Sequence, residues 1–213
     1  MECNISELVD NFDAGLKHLK KNEVFSCIYN QLGHIDFRTR ELTFEALIEI
    51  IVSQMLSNNV ADVIFGRIKS LFKDHNQIDP KEMIIVDREI LRSTGISYSK
   101  VSFIHDLSKT FIDNPKIIQN WKSLNHEKVY IEIKKLNGFG SWSAEIILLL
   151  YLGKKDVFPF GDSTLKKAHA NIYGIPLSKN LEEINWAKPY RSILALYFWG
   201  WVDNGMIKPL KNP

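Results

Sequence analysis

One aspartate in this sequence stands where a carboxylate could act on a bound substrate. Asp162 follows the chain-breaking residues Pro159 and Gly161 and directly precedes a helical pattern that begins at Ser163. This position predicts a helix N-cap, where a carboxylate accepts a hydrogen bond from the first turn and lies at the positive end of the helix. A carboxylate fixed in this way can stabilise a cation that develops during a reaction. Capping alone would also explain Asp162, so its position leaves both roles open.

A second stretch with functional potential is a tight turn that contains two glycines. Gly138 and Gly140 lie between two helical patterns, in a segment from Leu136 to Ala144 with the sequence LNGFGSWSA. Glycine allows backbone angles that other residues avoid, so the turn can be very short. The free N–H groups at the start of the second helix would then suit a phosphate. A helical hairpin without any ligand has the same pattern, so this motif alone does not decide between the two.

Two tryptophans near the end of the sequence are expected to differ in role. Trp199 and Trp201 are separated by a single residue in a helical pattern. A helix turns through about 200° over two positions, so only one of the two rings can face a single core. The other ring is expected to border a cleft.

These residues belong to a chain whose hydrophobic pattern is helical throughout. Apolar residues recur at steps of three and four, and strand-like alternation is almost absent, so the fold class is predicted to be all-α. The predicted helices cover residues 42–52, 60–72, 85–92, 100–111, 126–136, 142–152, 163–173, 181–187 and 190–203. A polar connector from Ser53 to Asn59 separates the first two helices, and it places Met55 outside any apolar helical face.

Composition excludes several classes of protein. The 213 residues carry a formal net charge of +2, which neither requires nor excludes nucleic acid. The longest apolar run, from Ile146 to Leu152, is far shorter than the ~20 residues of a membrane-spanning helix, so no membrane association is expected. Two cysteines are too few for a four-cysteine iron–sulfur cluster, and the six histidines lack metal-ligand spacing. The start has no signal-peptide pattern, so we expect a cytoplasmic protein, associated with the nucleoid if it is bacterial.

Four segments carry a family resemblance when they are taken together. They are residues 44–57 with the sequence SQMLS at 53–57, residues 95–100, residues 136–165, and residues 186–199. In this order they resemble the helix-hairpin-helix superfamily of DNA glycosylases, and most of all its alkylation-repair branch, 3-methyladenine DNA glycosylase II. The two-glycine turn followed by Asp156-Val157-Phe158-Pro159 and then Asp162 is more specific than any of its parts.

The resemblance implies a fold and a reaction. The implied fold is a single all-α helix-hairpin-helix glycosylase domain over residues 1–213, with two helical lobes and the active site in the cleft between them. The hairpin would lie at about residues 128–152, and no separate N-terminal β-domain is expected. The implied reaction is hydrolysis of the N-glycosidic bond of alkylated purines such as 3-methyladenine in base excision repair. The expected partner is double-stranded DNA with damaged bases, bound by a monomer.

The resemblance also implies roles for individual residues. Asp162 would be the catalytic carboxylate, which stabilises the sugar cation as the bond to the base breaks. Trp142, Trp199 and Gln54 would bind the base after it is flipped out of the duplex. Met55 would be the apolar wedge that fills the emptied position in the base stack.

The implied DNA contacts of the hairpin involve its backbone. Gly138, Gly140, Ser141 and Ser143 would bind the DNA phosphates. A structural Na⁺ or K⁺ would be held by the backbone of Leu136 and Gly138 when DNA is bound, and no other cofactor is expected.

Departures from the family pattern favour one type of enzyme but leave the substrate range and two alternative functions open. Relatives with lyase activity have a lysine where this chain has Trp142, which favours a monofunctional enzyme. Ile146 stands where some relatives have a pocket tyrosine, so the substrate range stays open. The alternatives are a bifunctional glycosylase and lyase for oxidised bases, and a helix-hairpin-helix module that binds DNA without catalysis.

Overall fold

The structure, a computed structural model, describes residues 7–72, 77–177 and 181–206, and its regular elements there are helices, as the hydrophobic pattern predicts. The rest of the predicted 1–213 domain lies outside the described residues. The α-helices are α1 (Glu7–Asp10), α2 (Phe12–Leu19), α3 (Glu23–Leu32), α4 (Phe44–Ser53), α5 (Asn58–Lys69), α6 (Pro80–Ile85), α7 (Arg88–Ser93), α8 (Tyr98–Asp113), α9 (Ile117–Ser123), α10 (His126–Lys134), α11 (Ser141–Ile146), α12 (Ser163–Tyr173) and α13 (Arg191–Asp203). A π-helical segment, Ile147–Tyr151, continues α11, and 3-10 helices cover Ser70–Phe72 and Leu181–Ala187.

The observed helix bounds differ from the predicted ones in informative places. The single helix predicted over 85–92 is wrong, because α6 ends and α7 begins within that range. Asp87 causes the break: its carboxylate accepts hydrogen bonds from the N–H groups of Glu89 and Ile90 and so starts a new helix. The pattern also missed α1 to α3 and α9. None of the helices in the described ranges combines the length and apolar character that crossing a membrane would need.

The chain divides into two compact units, of which the first is the central unit, Glu41–Ser143. Its most buried element is α4, which begins where the Thr43 hydroxyl accepts a hydrogen bond from the Ala46 N–H. The buried residues of α4 are Phe44, Ala46, Leu47, Ile48, Ile50, Ile51 and Val52. Helix α8 packs against α4, α6 and α7. Two of the segments that the sequence analysis singled out, the turn at Met55 and the hairpin at Gly138, belong to this unit. Helices α4 and α8 are its well-packed elements.

The second unit, the terminal unit, comprises Met1–Arg40 and Ala144–Pro213. Helix α13 is its centre, and α2, α3 and α12 pack against it. The approach of α2 is close, because a Cβ atom on Gly15 would lie 2.3 Å from the Cδ1 atom of Ile193. The buried residues of α13 are Ser192, Ile193, Leu194, Ala195, Tyr197, Phe198 and Trp201. Trp199 is on the same helix and is therefore held by a rigid element.

Tyr197 connects α13 to the end of α3. Its side chain is completely buried, and its hydroxyl donates a hydrogen bond to the Gly33 carbonyl at 3.0 Å. Burial raises the pKa of Tyr197 to about 12. The folded-state pKa therefore lies above the unfolded value of about 10, so the neutral phenol contributes stability that is fully present below about pH 10. That contribution is lost as the pH rises through about 12.

We expect the free energy of unfolding to fall between about pH 10 and pH 12, and to fall less steeply in Tyr197→Phe. The variant should also lose about 1 kcal/mol at neutral pH, because the hydrogen bond to Gly33 is gone. Denaturant unfolding at several pH values measures both effects. Equal slopes in Tyr197→Phe and wild type would contradict the assignment.

Candidate active site

Asp162 caps helix α12, as its sequence position predicts. Its backbone is extended, and its Oδ1 atom accepts a hydrogen bond from the Leu165 N–H at 2.9 Å. The Asp162 N–H in turn donates to the Pro159 carbonyl at 2.9 Å, which closes the turn before the helix. The carboxylate thus lies at the positive end of α12 and is only partly buried.

Trp199 holds the same carboxylate from another direction. The Nε1 atom of Trp199 donates a hydrogen bond to Oδ1 of Asp162 at 3.1 Å, and the ring is half-buried. Trp201 is 2% exposed and belongs to the core, so the expectation that only one of the two rings is buried is confirmed, whereas a pocket beside Trp199 stays a prediction. Because two donors from different helices converge on one oxygen, the orientation of the carboxyl group is fixed. The structure therefore brings together an anion and an indole, two of the predicted site residues.

Hydrogen bonds link the segment that leads to Asp162 to the start of α13. Arg191 donates to both carboxylate oxygens of Asp156, from Nε at 2.6 Å and from its terminal nitrogen at 2.8 Å. The buried Ser192 hydroxyl donates to the Lys154 carbonyl at 2.6 Å and accepts from the Val157 N–H at 2.9 Å. Sequence reasoning placed Asp156 and Arg191 in family motifs but gave them no role, since nothing local pairs residues so far apart in the chain.

The two glycines of the hairpin differ in whether the structure requires a glycine at their position. Gly138 has φ of 85°, and a Cβ atom there would lie 2.4 Å from the ring of Phe103, so no other residue fits. A Cβ atom on Gly140 would meet nothing within 4 Å, which leaves open space at this side of the turn. Ser141 is exposed and begins α11, where free N–H groups are expected.

Gln54 is bound to the hairpin in this structure. Its Nε2 atom donates to the Gly138 carbonyl at 2.8 Å and to the Ser143 Oγ atom at 3.2 Å. Ser143 is 2% exposed, so its hydroxyl is used inside the fold and a contact with DNA would have to come from its backbone. The predicted role of Gln54 in binding the base stays a prediction. What the structure shows is that its amide group links the end of α4 to the hairpin.

The contacts of Gln54 also bear on the cation that the resemblance implies. The amide hydrogens of Gln54 carry positive partial charge and point at the Gly138 oxygen, where they would repel a cation. The Leu136 carbonyl accepts the Phe139 N–H at 3.1 Å. Each of these carbonyl oxygens accepts one hydrogen bond and keeps a second lone pair, so the Na⁺ or K⁺ that the resemblance implies at Leu136 and Gly138 stays a prediction.

Met55 occupies an unusual backbone position. The Leu56 N–H donates to the Ser53 carbonyl at 3.1 Å, Gln54 has φ of −53° and ψ of 126°, and Met55 has φ of 59°. These values describe a type II turn with methionine at the position that favours glycine. A side chain there costs about 1–2 kcal/mol. The Met55 side chain is fully exposed, at 101%, so packing does not explain the strain.

The predicted site residues thus form two described groups. Asp162 and Trp199 are in contact within the terminal unit. The central unit contains the others: Gln54, Met55, Leu136, Gly138, Gly140, Ser141, Ser143 and the half-buried Trp142. Lys100, which ends the family segment 95–100, contacts the Met55 turn through the Gln54 carbonyl.

Curated proteins that are similar to this chain in sequence are named as DNA-3-methyladenine glycosylases. DNA-3-methyladenine glycosylase 1 of Schizosaccharomyces pombe is 26% identical over 161 residues, which cover 73% of this chain and 71% of that protein. The putative DNA-3-methyladenine glycosylase YfjP of Bacillus subtilis is 23% identical over 194 residues, with coverage of 86% and 67%.

Solved structures show the same fold. The 3-methyladenine DNA glycosylase of Schizosaccharomyces pombe, in complex with abasic DNA, superposes with a TM-score of 0.78 at 23% identity, over 89% of this chain and 97% of that one. A DNA-3-methyladenine glycosidase from Bacillus halodurans has a TM-score of 0.72 at 24% identity, over 88% of each chain. The family model of the HhH-GPD superfamily base excision DNA repair proteins matches residues 48–188, a range that contains Met55, both hairpin glycines and Asp162. The chain therefore belongs to the HhH-GPD superfamily of base excision DNA repair proteins.

Proposed function

We propose that the protein is a monofunctional DNA glycosylase that removes alkylated purines such as 3-methyladenine from double-stranded DNA, in the manner of 3-methyladenine DNA glycosylase II. The observation that carries the proposal is the carboxylate of Asp162, held by the Leu165 N–H and by Trp199 in a chain of this family. The names of the curated relatives, two of them DNA-3-methyladenine glycosylases and one an alkylbase glycosidase-like protein, support the substrate class.

The chemistry requires stabilisation of a cation. When the bond between the sugar C1′ and the base nitrogen breaks, its electron pair leaves with the base and the sugar becomes an oxocarbenium ion. The fixed anion of Asp162 stabilises this ion, and water then adds to C1′ and loses a proton. A purine alkylated on a ring nitrogen already carries positive charge, so it departs as a neutral molecule without a general acid. The aromatic faces of Trp142 and Trp199 would attract such a cationic base more than its neutral counterpart.

The central unit supplies the proposed DNA contacts. The open side of Gly140 lets a phosphate approach the backbone N–H groups at the start of α11, beginning at Ser141. Met55 would enter the duplex where the damaged base has been flipped out. Because all of these groups belong to one chain, the protein is proposed to act as a monomer.

Release of bases from methylated DNA tests the proposal. Duplex DNA treated with a methylating agent is incubated with the protein, and the soluble products are separated and identified. We expect free methylated purine, with strand breaks only after alkali. Nicked strands without alkali would indicate the bifunctional enzyme, and binding without any released base would indicate a non-catalytic module. Unmethylated duplex is the control for release of normal purines.

Borohydride should fail to trap a covalent complex between this protein and damaged DNA. Trapping needs an amine that attacks the sugar carbon to form a Schiff base, and Trp142 stands where lyases of this family have that lysine. The measurement is a denaturing gel of protein, damaged duplex and borohydride, with a known lyase as positive control. A cross-linked band that depends on borohydride would show that an amine of this chain forms the intermediate.

A further inference from the structure

One face of helix α8 contacts two loops of the central unit, the hairpin at Gly138 and the turn at Met55. Lys100, Phe103 and Asp106 are spaced three residues apart, so they lie on the same side of the helix. The ring of Phe103 fills the space beside Gly138, and Asp106 accepts a hydrogen bond from Asn137 Nδ2 at 2.6 Å. These two residues support the hairpin. Lys100 supports the other loop.

Lys100 binds the backbone on either side of the last residue of α4. Its Nζ atom donates hydrogen bonds to the carbonyls of Val52, at 2.9 Å, and of Gln54, at 2.7 Å. Both carbonyls belong to the C-terminal end of α4, where carbonyl groups lack partners within the helix. The Gln54 carbonyl is also part of the peptide bond that leads into Met55. A positive charge is favourable at this end of the helix dipole.

Gln54 holds the same turn from the other side. Its side chain contacts the hairpin at Gly138 and Ser143, while its backbone carbonyl contacts Lys100. The strained Met55 is therefore attached to a residue that is fixed at two points. Without such restraint, a methionine would be expected to leave a φ of 59° for a more favourable conformation.

We propose that Lys100 is a positioning residue that holds the Met55 turn in the strained conformation in which the methionine side chain projects into a DNA duplex. Lys100 acts through the backbone of the turn and does not itself touch the reacting atoms. This inference rests on the proposed function, because it assigns Met55 the role of a wedge in duplex DNA.

A cycle of single and double variants tests this role. Binding is measured to a duplex with a stable abasic-site analogue and to the corresponding single strand, for wild type, Lys100→Met, Met55→Ala and the double variant. We expect Lys100→Met to weaken duplex binding about tenfold in the wild-type background and by less than about twofold in the Met55→Ala background. Single-strand binding should change by less than about twofold in each case, because a single strand has no stack to fill.

Two alternatives give different results. A lysine that contacted phosphate directly would reduce duplex and single-strand binding alike, and it would do so in both Met55 backgrounds. A lysine that only stabilised the fold would lower thermal stability and leave duplex binding of the folded protein unchanged. Either result, or an equal loss with and without Met55, overturns the proposal.

Controls keep the test decisive. Lys109→Met removes the same charge from an exposed position of α8 and should leave duplex binding within about twofold of wild type. If Lys100→Met does not fold, Lys100→Arg keeps the charge and moves the donors, and the same criterion applies to its cycle with Met55→Ala. The cycle measures binding to an abasic analogue, which does not depend on base release. A wild-type protein that binds this duplex but releases no base would contradict the proposed function. The result for Lys100 could still be interpreted in that case.

Discussion

Asp162→Asn is expected to lower the rate of base release by at least about a hundredfold, with folding and duplex binding close to wild type. The amide oxygen of asparagine can accept the two hydrogen bonds that Oδ1 now receives, from the Leu165 N–H and from Trp199 Nε1. What the variant loses is the negative charge that we propose stabilises the developing sugar cation. Single-turnover release of methylated purine from duplex DNA measures the rate, and binding to an abasic analogue measures affinity.

Comparison with a second capping aspartate separates catalysis from capping. Asp87 caps α7 with hydrogen bonds to Glu89 and Ile90, so Asp87→Asn makes the same chemical change at another helix start. It should leave base release unchanged. Asp162→Ala should, in addition to losing activity, cost about 1 kcal/mol of stability, because the cap is gone. Base release by Asp162→Asn at the wild-type rate would reduce Asp162 to a capping residue.

The sequence was sufficient to predict the helical class, the cap at Asp162 and the different burial of Trp199 and Trp201, because each follows from local rules. Helical spacing, a helix breaker before an N-cap, and the angle between neighbouring positions on a helix need no knowledge of distant residues. The boundary at Asp87 was missed, although capping rules favour it, because the apolar residues on either side continue a helical period.

The contacts that organise the site could not be predicted in this way. The hydrogen bond from Gln54 to Gly138 spans 84 residues of sequence, and that from Lys100 to the Gln54 carbonyl spans 46. Such pairings depend on how helices pack, and the residue types involved are common on any surface. Gln54 illustrates the difference: the family motif implies a contact with the base, which stays a prediction, and it gives no indication of the hydrogen bonds to the hairpin. The positive φ of Met55 was equally hidden, since sequence rules expect glycine there.

The strain at Met55 predicts the second large effect. Replacing Met55 with glycine or alanine should weaken DNA binding without lowering the stability of the fold appreciably. Met55→Gly should raise the free energy of unfolding by about 1 kcal/mol, because glycine adopts a positive φ without a steric penalty. Met55→Ala keeps the strain and removes only exposed atoms, so its stability should lie within about 0.5 kcal/mol of wild type. Denaturant unfolding measures both values.

Both Met55 variants should bind damaged duplex about tenfold more weakly and release bases more slowly, since flipping costs a few kcal/mol and the wedge recovers part of it. Binding to single strands should stay near wild type. Ile85→Ala is the matched control, because Ile85 is another exposed apolar residue of the central unit, at 81%, with no proposed DNA contact. A methionine packed in the core would behave in the opposite way: truncation to alanine would cost about 2–5 kcal/mol of stability and leave duplex affinity unchanged. That outcome would remove the wedge role, whereas a more stable glycine variant with weaker duplex binding would show that the chain retains a strained methionine for its contact with DNA.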